Sequence, residues 1–415
     1  MNFDHSDKVK ALIEKLTAFM EAHVYPNEKV YSAQVRASGD KHFHPPIMEE
    51  LKAKARSQGL WNLFLPDAQY GAGLTNLEYA PLAEIMGRSE MASEVFNCNA
   101  PDTGNMEILA EYGTEEQKRQ WLQPLLDGDI RSVFSMTEPE VAGSDPTLLR
   151  GRAERKGDHY IINAHKWFSS NAAHPNAKIA IVMAVTNPNA PAHARASQIL
   201  VPLDAPGVRI VRAIPVFNHD GGSGHCEVYY ENVRVPATNL LGGEGDGFPI
   251  AQARLGPGRI HHCMRAIGGS ERALDMMCHR AEHRFAHGTQ LSDKGIIQTW
   301  IAESRMEIEQ ARLLVLYTAW KMDHYGKKEA RHEISMIKTV VANMFQKVCD
   351  RAIQVHGALG TTNDVPLAHL WTYARYLRLA DGPDEVHNMV VARRELKRVK
   401  ALKSSSLAPL PPIPA

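Results

Sequence analysis

Near the carboxyl end, the stretch "RLADGPDEVH" (Arg378 to His387) places three carboxylates, Asp381, Asp384 and Glu385, within five residues, beside a glycine and a proline. Such a turn is either a solvated acidic loop or the seat of a general base, since a carboxylate fixed in a turn can be aimed at a carbon-bound proton. Two other stretches offer complementary chemistry. "VFSMTEPEVAGSDPTLLRG" runs a strand into a loop with Thr137, Gly143 and Ser144, where hydroxyls and backbone N–H groups can meet a polar ring edge or an anion. "HKWFSSNA" sets aromatic residues before Ser169 and Ser170 at a strand end, which suits the wall of a flat ligand or an aromatic core cluster.

Three more groups have metal-like or pocket-like composition. His279, His283 and His287 recur every four residues in "CHRAEHRFAHG", with Glu282 adjacent. That spacing can ligate zinc, but a packed or solvated histidine stripe is the simpler reading, and no metal is expected. His261 and His262 read as structural, or as lining a ligand entrance. Asn97, Asn99, Asp102 and Asn105 in "EVFNCNAPDTGNMEIL" suit helix capping and turns, or a polar pocket.

The elements that must position these residues change character twice. "DKVKALIEKLTAFMEAHV" puts Val9, Leu12, Ile13, Leu16 and Phe19 on one helical stripe, and "NLEYAPLAEIMGRS" and "TEEQKRQWLQPLLDG" also read as helices, the latter with Thr114 as N-cap. "RSVFSMTEP", "HYIINAHKWFSS", "AKIAIVMAVT", "SQILVPLDAPGVRIV" and "HCEVYYENVRVP" are short, β-branched and bounded by turn residues, which predicts a small β-barrel or sandwich. After "GGEGDGF" the helical period returns, with Ile337, Val341, Met344, Val348, Ala352 and Val355 on one long apolar face. The spans predicted are a helical domain over 1–129, a β domain over 130–240, a helical domain over 241–400 and a disordered tail over 401–415.

Bulk properties narrow the field. The 415 residues carry 47 Lys plus Arg against 47 Asp plus Glu, so no global field favours nucleic acid or an anionic membrane. No apolar run is long enough to span a bilayer, and the amino-terminal stretch does not read as a secretory signal. The five cysteines are odd in number and form no CxxC pair, which predicts a reduced, cytoplasmic setting. Neither GxGxxG after a strand nor GxxxxGK[ST] occurs, which gives nicotinamide or ATP binding little support.

In order, "MTEPEVAGSD", "KWFSSN", "LLGGEGDGF", "RFAHGTQL", "QVHGALG" and "LADGPDEVH" resemble the acyl-CoA dehydrogenase family, over roughly residues 5 to 400. The resemblance is greatest to a branch sharing "RLGPGRIHHCMR" and "LADGPDEVH". It implies the fold of that family: a helical N-terminal domain, a β-barrel middle domain and a C-terminal four-helix bundle. FAD would lie between barrel and bundle, in a homotetramer or homodimer whose neighbours complete the cofactor site. An electron-transfer flavoprotein would take the electrons.

Carried over position by position, the resemblance implies that Phe134, Met136 and Thr137 face the flavin, with Thr137 bonding its pyrimidine edge. Gly143 and Ser144 would lie near the ribityl chain, and Ser144 also near the CoA. Phe168, Ser169 and Ser170 would form the flavin wall, where Phe168 departs from the usual residue but keeps an aromatic plate. Arg284 would meet the FAD pyrophosphate of a neighbouring subunit. Gln354, Val355 and Gly357 match a stretch for the same cofactor, although Ala358 replaces its second glycine. Pro383 and Glu385 fall at further FAD positions. Arg259 and Gly382 would touch the substrate, although Gly256 stands where many relatives have Asp.

Asp381 falls on the position of the family's catalytic glutamate. By resemblance it would remove the pro-R α-hydrogen of an acyl-CoA thioester as a proton while flavin N5 accepts the β-hydride, leaving a trans-2-enoyl-CoA. Burial beside the flavin is expected to raise the pKa of this base. Aspartate reaches about 1.5 Å less far than glutamate, one C–C bond, and Gly382 and Pro383 are expected to reshape the turn in compensation. Nitroalkane oxidases share this fold and use an Asp base, which leaves a flavin oxidase as an alternative. A non-catalytic flavoprotein binder is another.

Overall fold

A computed structural model describes residues 4–402; the expected disordered tail falls almost entirely outside the described residues. The amino-terminal helices are α1 (Asp7–Phe19), α2 (Glu28–Ser38), α3 (Pro46–Ser57), α4 (Asn76–Gly87), α5 (Ala92–Val95), α6 (Asp102–Tyr112), α7 (Glu115–Gln117) and α8 (Gln123–Asp127). Ser6 caps α1, and the stripe beneath it buries Val9, Leu16 and Phe19. Thr114 caps α7 reciprocally with Gln117, and the chain then passes through a wider turn, Lys118–Leu122, into α8. The single helix expected there is three joined pieces.

The middle segment forms β1 (Arg131–Ser135), β2 (Arg152–Lys156), β3 (His159–Ser170), β4 (Ala177–Val185), β5 (Ala196–Pro202), β6 (Val208–Ala213), β7 (His225–Pro236) and β8 (Leu240–Leu241). Their order is β6-β7-β3-β2-β4-β5-β8, with β1 added in parallel against β4. The expected closed barrel is therefore corrected to an open sheet. Closure would require β6 to pair with β8, but these strands stand at opposite ends of the order, and β8 is only two residues long.

A two-stranded hairpin, β9 (Phe285–Ala286) and β10 (Thr289–Gln290), leads into the last helices. Around it lie α9 (Gly247–His283), α10 (Gly295–Glu329), α11 (Arg331–His356), α12 (Leu367–Leu377) and α13 (Asp384–Lys400). Ile337, Val341, Met344, Val348, Ala352 and Val355 are all buried, as the helical period requires. One apolar core joins this bundle to the amino-terminal helices, while a second fills the sheet.

Two devices fix α4 against the bundle. A Cβ on Gly87 would lie 2.0 Å from the Arg265 carbonyl oxygen, and one on Gly268 would lie 1.8 Å from that of Glu84. Only hydrogen side chains let the two backbones cross so closely. At the start of α4, Asp323 of α10 accepts the N–H groups of Asn76 and Leu77 at 3.0 and 2.9 Å, capping the helix from outside.

Candidate active site

β1 ends at Ser135, and the loop beyond it is braced from beneath. The fully buried Lys166 donates to the Met136 carbonyl at 2.8 Å and to Glu138 Oε1 at 2.7 Å, while Glu138 also accepts the N–H groups of Arg150 and Gly151. Opposite, the β3–β7 register slips between Lys166 and Ser169. In this bulge Phe168 adopts φ 50°, and its side chain is 38% exposed, turned toward the cleft rather than the sheet core.

These elements wall a cleft of about 1730 Å³ shared with the helices of the carboxyl-terminal segment. Small-ligand pockets run to roughly 300–1,000 Å³, so the cleft has room for two sizeable ligands. Phe134, Met136, Thr137, Gly143, Ser144, Phe168, Ser170, Arg259, Asp381, Gly382 and Pro383 all line it. Ser169 does not; it is fully buried, and its hydroxyl shares a 2.8 Å bond with Ser135. Arg284, Gln354, Gly357 and Glu385 are exposed away from the cleft, and Val355 is packed in the core. The hydroxyl of Thr137 donates to the Trp167 carbonyl at 2.8 Å, so toward a ligand edge its oxygen can only accept.

The acidic turn separates its three carboxylates. Asp384 is buried, receiving Arg378 Nε at 2.8 Å and Asn343 Nδ2 at 3.0 Å, and so anchors the start of α13. Glu385 faces solvent. Asp381 alone lines the cleft, at φ 56° and followed by Gly382 at φ 104°. Its carbonyl accepts Arg259 Nε at 2.9 Å and lies 3.3 Å from His387 Nε2, and its own N–H finds no acceptor among the described residues. Burial pushes the Asp381 carboxyl upward, but His262, Arg254, Arg259 and Lys338 outweigh it and hold the group below its ordinary value. The expectation of a raised pKa is thus corrected: the turn faces a cationic helix rather than apolar surroundings.

Among the lining residues, the sequence reading misses Arg254 and His225, and leaves His262 as structural or at a ligand entrance. The Arg254 guanidinium lies 4.1 Å over the Phe134 ring and donates to Asn105 Oδ1 at 2.8 Å. His225 bonds Ser170 at 2.7 Å and stacks near Tyr376. His262 lies 3.5 Å from Asp381 Oδ2. A signal existed: Arg254, Gly258, His262 and Arg265 are spaced four, four and three apart, which puts them on one face of a helix.

The asparagine cluster divides in the same way. Asn97 bonds Asn62 and the Leu125 carbonyl, Asp102 pairs with Arg131 at 2.6 Å, and Asn105 holds Arg254; of the four, Asn99 alone lines the cleft. In the histidine stripe, His283 Nδ1 bonds the His279 carbonyl at 2.8 Å and His287 stands exposed in a turn beyond the end of α9. His44, Glu94 and His174 do converge. There, however, His174 Nδ1 accepts the Asn176 N–H at 3.0 Å, which leaves the proton on Nε2, the atom facing the other two.

A helical domain, a central sheet and a helical bundle around one cleft are the build of the acyl-CoA dehydrogenases. Family models for their N-terminal, middle and C-terminal domains match residues 6–129, 133–233 and 245–396. The chain belongs to this family of flavin oxidoreductases. It is 56% identical over 403 residues to the probable acyl-CoA dehydrogenase FadE2 of Mycobacterium tuberculosis, covering 97% of this chain and 98% of that one. Acyl-CoA dehydrogenase family member 10 of Mus musculus is 52% identical over 97% of this chain, which spans only 38% of that longer protein. A solved Mycobacterium abscessus structure described within the same enzyme group superposes with a TM-score of 0.93 at 49% identity, covering 96% of this chain and all (100%) of the other.

Proposed function

We propose that the chain removes the α- and β-hydrogens of an acyl-CoA thioester, with Asp381 as the base and FAD as the cofactor. The observation that carries this reading is the Asp381 carboxylate, sole survivor of the acidic turn, in one cleft with Phe134, Trp167 and Phe168. When bound there, FAD would supply the acceptor for the β-hydride. The cleft's size and its aromatic wall fit such a ligand beside a thioester.

The residues present define the rest. A depressed pKa keeps Asp381 ionised at neutral pH, able to take a proton but weakly basic. The substrate's α-carbon must then be made more acidic, and the Asp381 N–H, without an acceptor among the described residues, suits the thioester oxygen on which negative charge develops. Arg259 and His387 hold the carbonyl of the same residue, so the turn cannot drift while the proton moves. Arg254 and Arg259 give the cleft a positive wall on the side where an anionic CoA ester would lie. Ser144 and Gly143 on the loop after β1, with Ser170 opposite, are the polar groups we assign to the cofactor and substrate chains.

Arg284, Gln354, Gly357 and Glu385 stand outside this cleft, consistent with service to the cofactor of a neighbouring copy in a homodimer or homotetramer. An electron-transfer flavoprotein is the expected electron acceptor, in a cytoplasmic setting; no helix among the described residues is long and apolar enough to cross a membrane.

Anaerobic bleaching of the oxidised flavin band by a panel of CoA thioesters tests the reading. Asp381→Asn is expected to slow bleaching by roughly 10²–10⁴-fold, the usual worth of a positioned general base. Unimpaired bleaching would remove Asp381 from the mechanism. Rapid reoxidation by O₂ with no thioester turnover would point to a nitroalkane-oxidase-like reaction instead.

A further inference from the structure

Of the residues beside Asp381, His262 is the one whose protonation the surroundings dictate. Its Nε2 lies 3.5 Å from Asp381 Oδ2, and among the described residues no other cationic or imidazole nitrogen comes as close to that carboxylate. Its Nδ1 lies 3.1 Å from Arg265 Nη2 and 3.2 Å from the Tyr373 hydroxyl. A guanidinium has only donors, so Nδ1 must accept, and a neutral ring then carries its proton on Nε2. Burial, with Arg265 next in weight, pushes His262 down to about 3, so the ring is neutral at physiological pH.

We propose that His262 is a positioning residue: held in its Nε2–H tautomer by Arg265, it donates to one oxygen of the Asp381 carboxylate and leaves the other facing the cleft for the substrate's α-proton. This rests on the reading of Asp381 as the base. The main chain of Asp381 is gripped by Arg259 and His387, but neither fixes the rotation of the carboxylate. A base on a short side chain needs that rotation fixed, because ångström errors in a proton transfer are costly. His262 does not relay the proton onward, since its only lone pair in the ring plane is occupied by a permanent cation. Arg254 and Arg259 of α9, Lys338 of α11, Tyr373 and Tyr376 of α12 and His387 of α13 also face the carboxylate and remain in place when His262 is changed.

The test uses FAD-loaded enzyme and two variants. His262→Phe keeps the bulk without the donor, and His262→Gln restores an N–H. H262F is expected to bleach about 100-fold more slowly with little change in half-saturation. The apparent pKa of the base should move upward, because a donor to the charged form is gone. H262Q should recover part of both. Independently of turnover, the ¹⁵N-histidine spectrum of the wild type should show a neutral Nε2–H ring at neutral pH whose signals vanish in H262Q. An Nδ1–H or doubly protonated His262 would overturn the proposal, as would wild-type rate and pH profile in H262F. Failure of every thioester to bleach the wild type would sink the reaction itself, and the ring spectrum would still decide His262.

Discussion

Arg131 shows how much of the cleft's floor depends on single side chains. It is buried, and its guanidinium pairs with Asp102 at 2.6 Å and Glu94 at 2.5 Å, while Asp102 also accepts the N–H and hydroxyl of Ser132 on β1. Asp102→Ala would leave much of that charge uncompensated, and a loss of about 3–5 kcal/mol is expected in denaturant unfolding. Gly382 is equally confined. A Cβ there would lie 2.9 Å from His387 Nε2 at a backbone angle that suits glycine, so Gly382→Ala should shift the turn. Flavin bleaching should fall far more than the melting temperature, because the strain lands on the carbonyl grip of Asp381. At this scale the place of Asp381 in the cleft was legible, because its neighbours make a recognisable motif. Its charge state was not, since Arg254 and Lys338 lie 127 and 43 positions away in the sequence and meet it only through folding.

Among the elements, the α4–α9 crossing is the tightest. Gly268→Ala would drive a methyl into the Glu84 carbonyl, and a destabilisation of at least about 1–3 kcal/mol is expected, read as a lowered melting temperature. The displacement should also reach Arg265, whose carbonyl meets Gly87 and whose guanidinium holds His262. α1, α4 and α11 were readable from periodicity, as the buried face of α11 illustrates. β2 was not, because "RAERK" has no β-branched residue and owes its conformation to pairing with β3. The barrel was over-read for a related reason: strand-like segments do not disclose which two edges meet. Among the described residues β6 has a strand on one side only, and its Arg209 and Arg212 pair with Glu231 and Glu227 of that strand, β7.

The molecule as a whole carries two opposed pH dependences. His174 and His262 are pushed by burial to about 3 and His387 to about 4, from an ordinary value of 6.5. The unfolded chain binds their protons first, so stability falls as pH drops from about 6.5 toward about 3. Glu107 is pushed by burial to about 8 from 4.5, so the native state holds its proton longer and stability falls as pH rises across that interval. A melting series from about pH 4 to about pH 9 should therefore show a maximum, and Glu107→Gln should flatten its alkaline side while leaving the acid side intact.

The cleft draws its walls from the loop after β1, the bulge of β3, the α9 stripe and the turn before α13. Whatever fills it therefore acts as mortar between parts of the chain that are distant in sequence. Stripping the flavin should loosen these parts together rather than one alone, so that holoprotein melts later and in a single step.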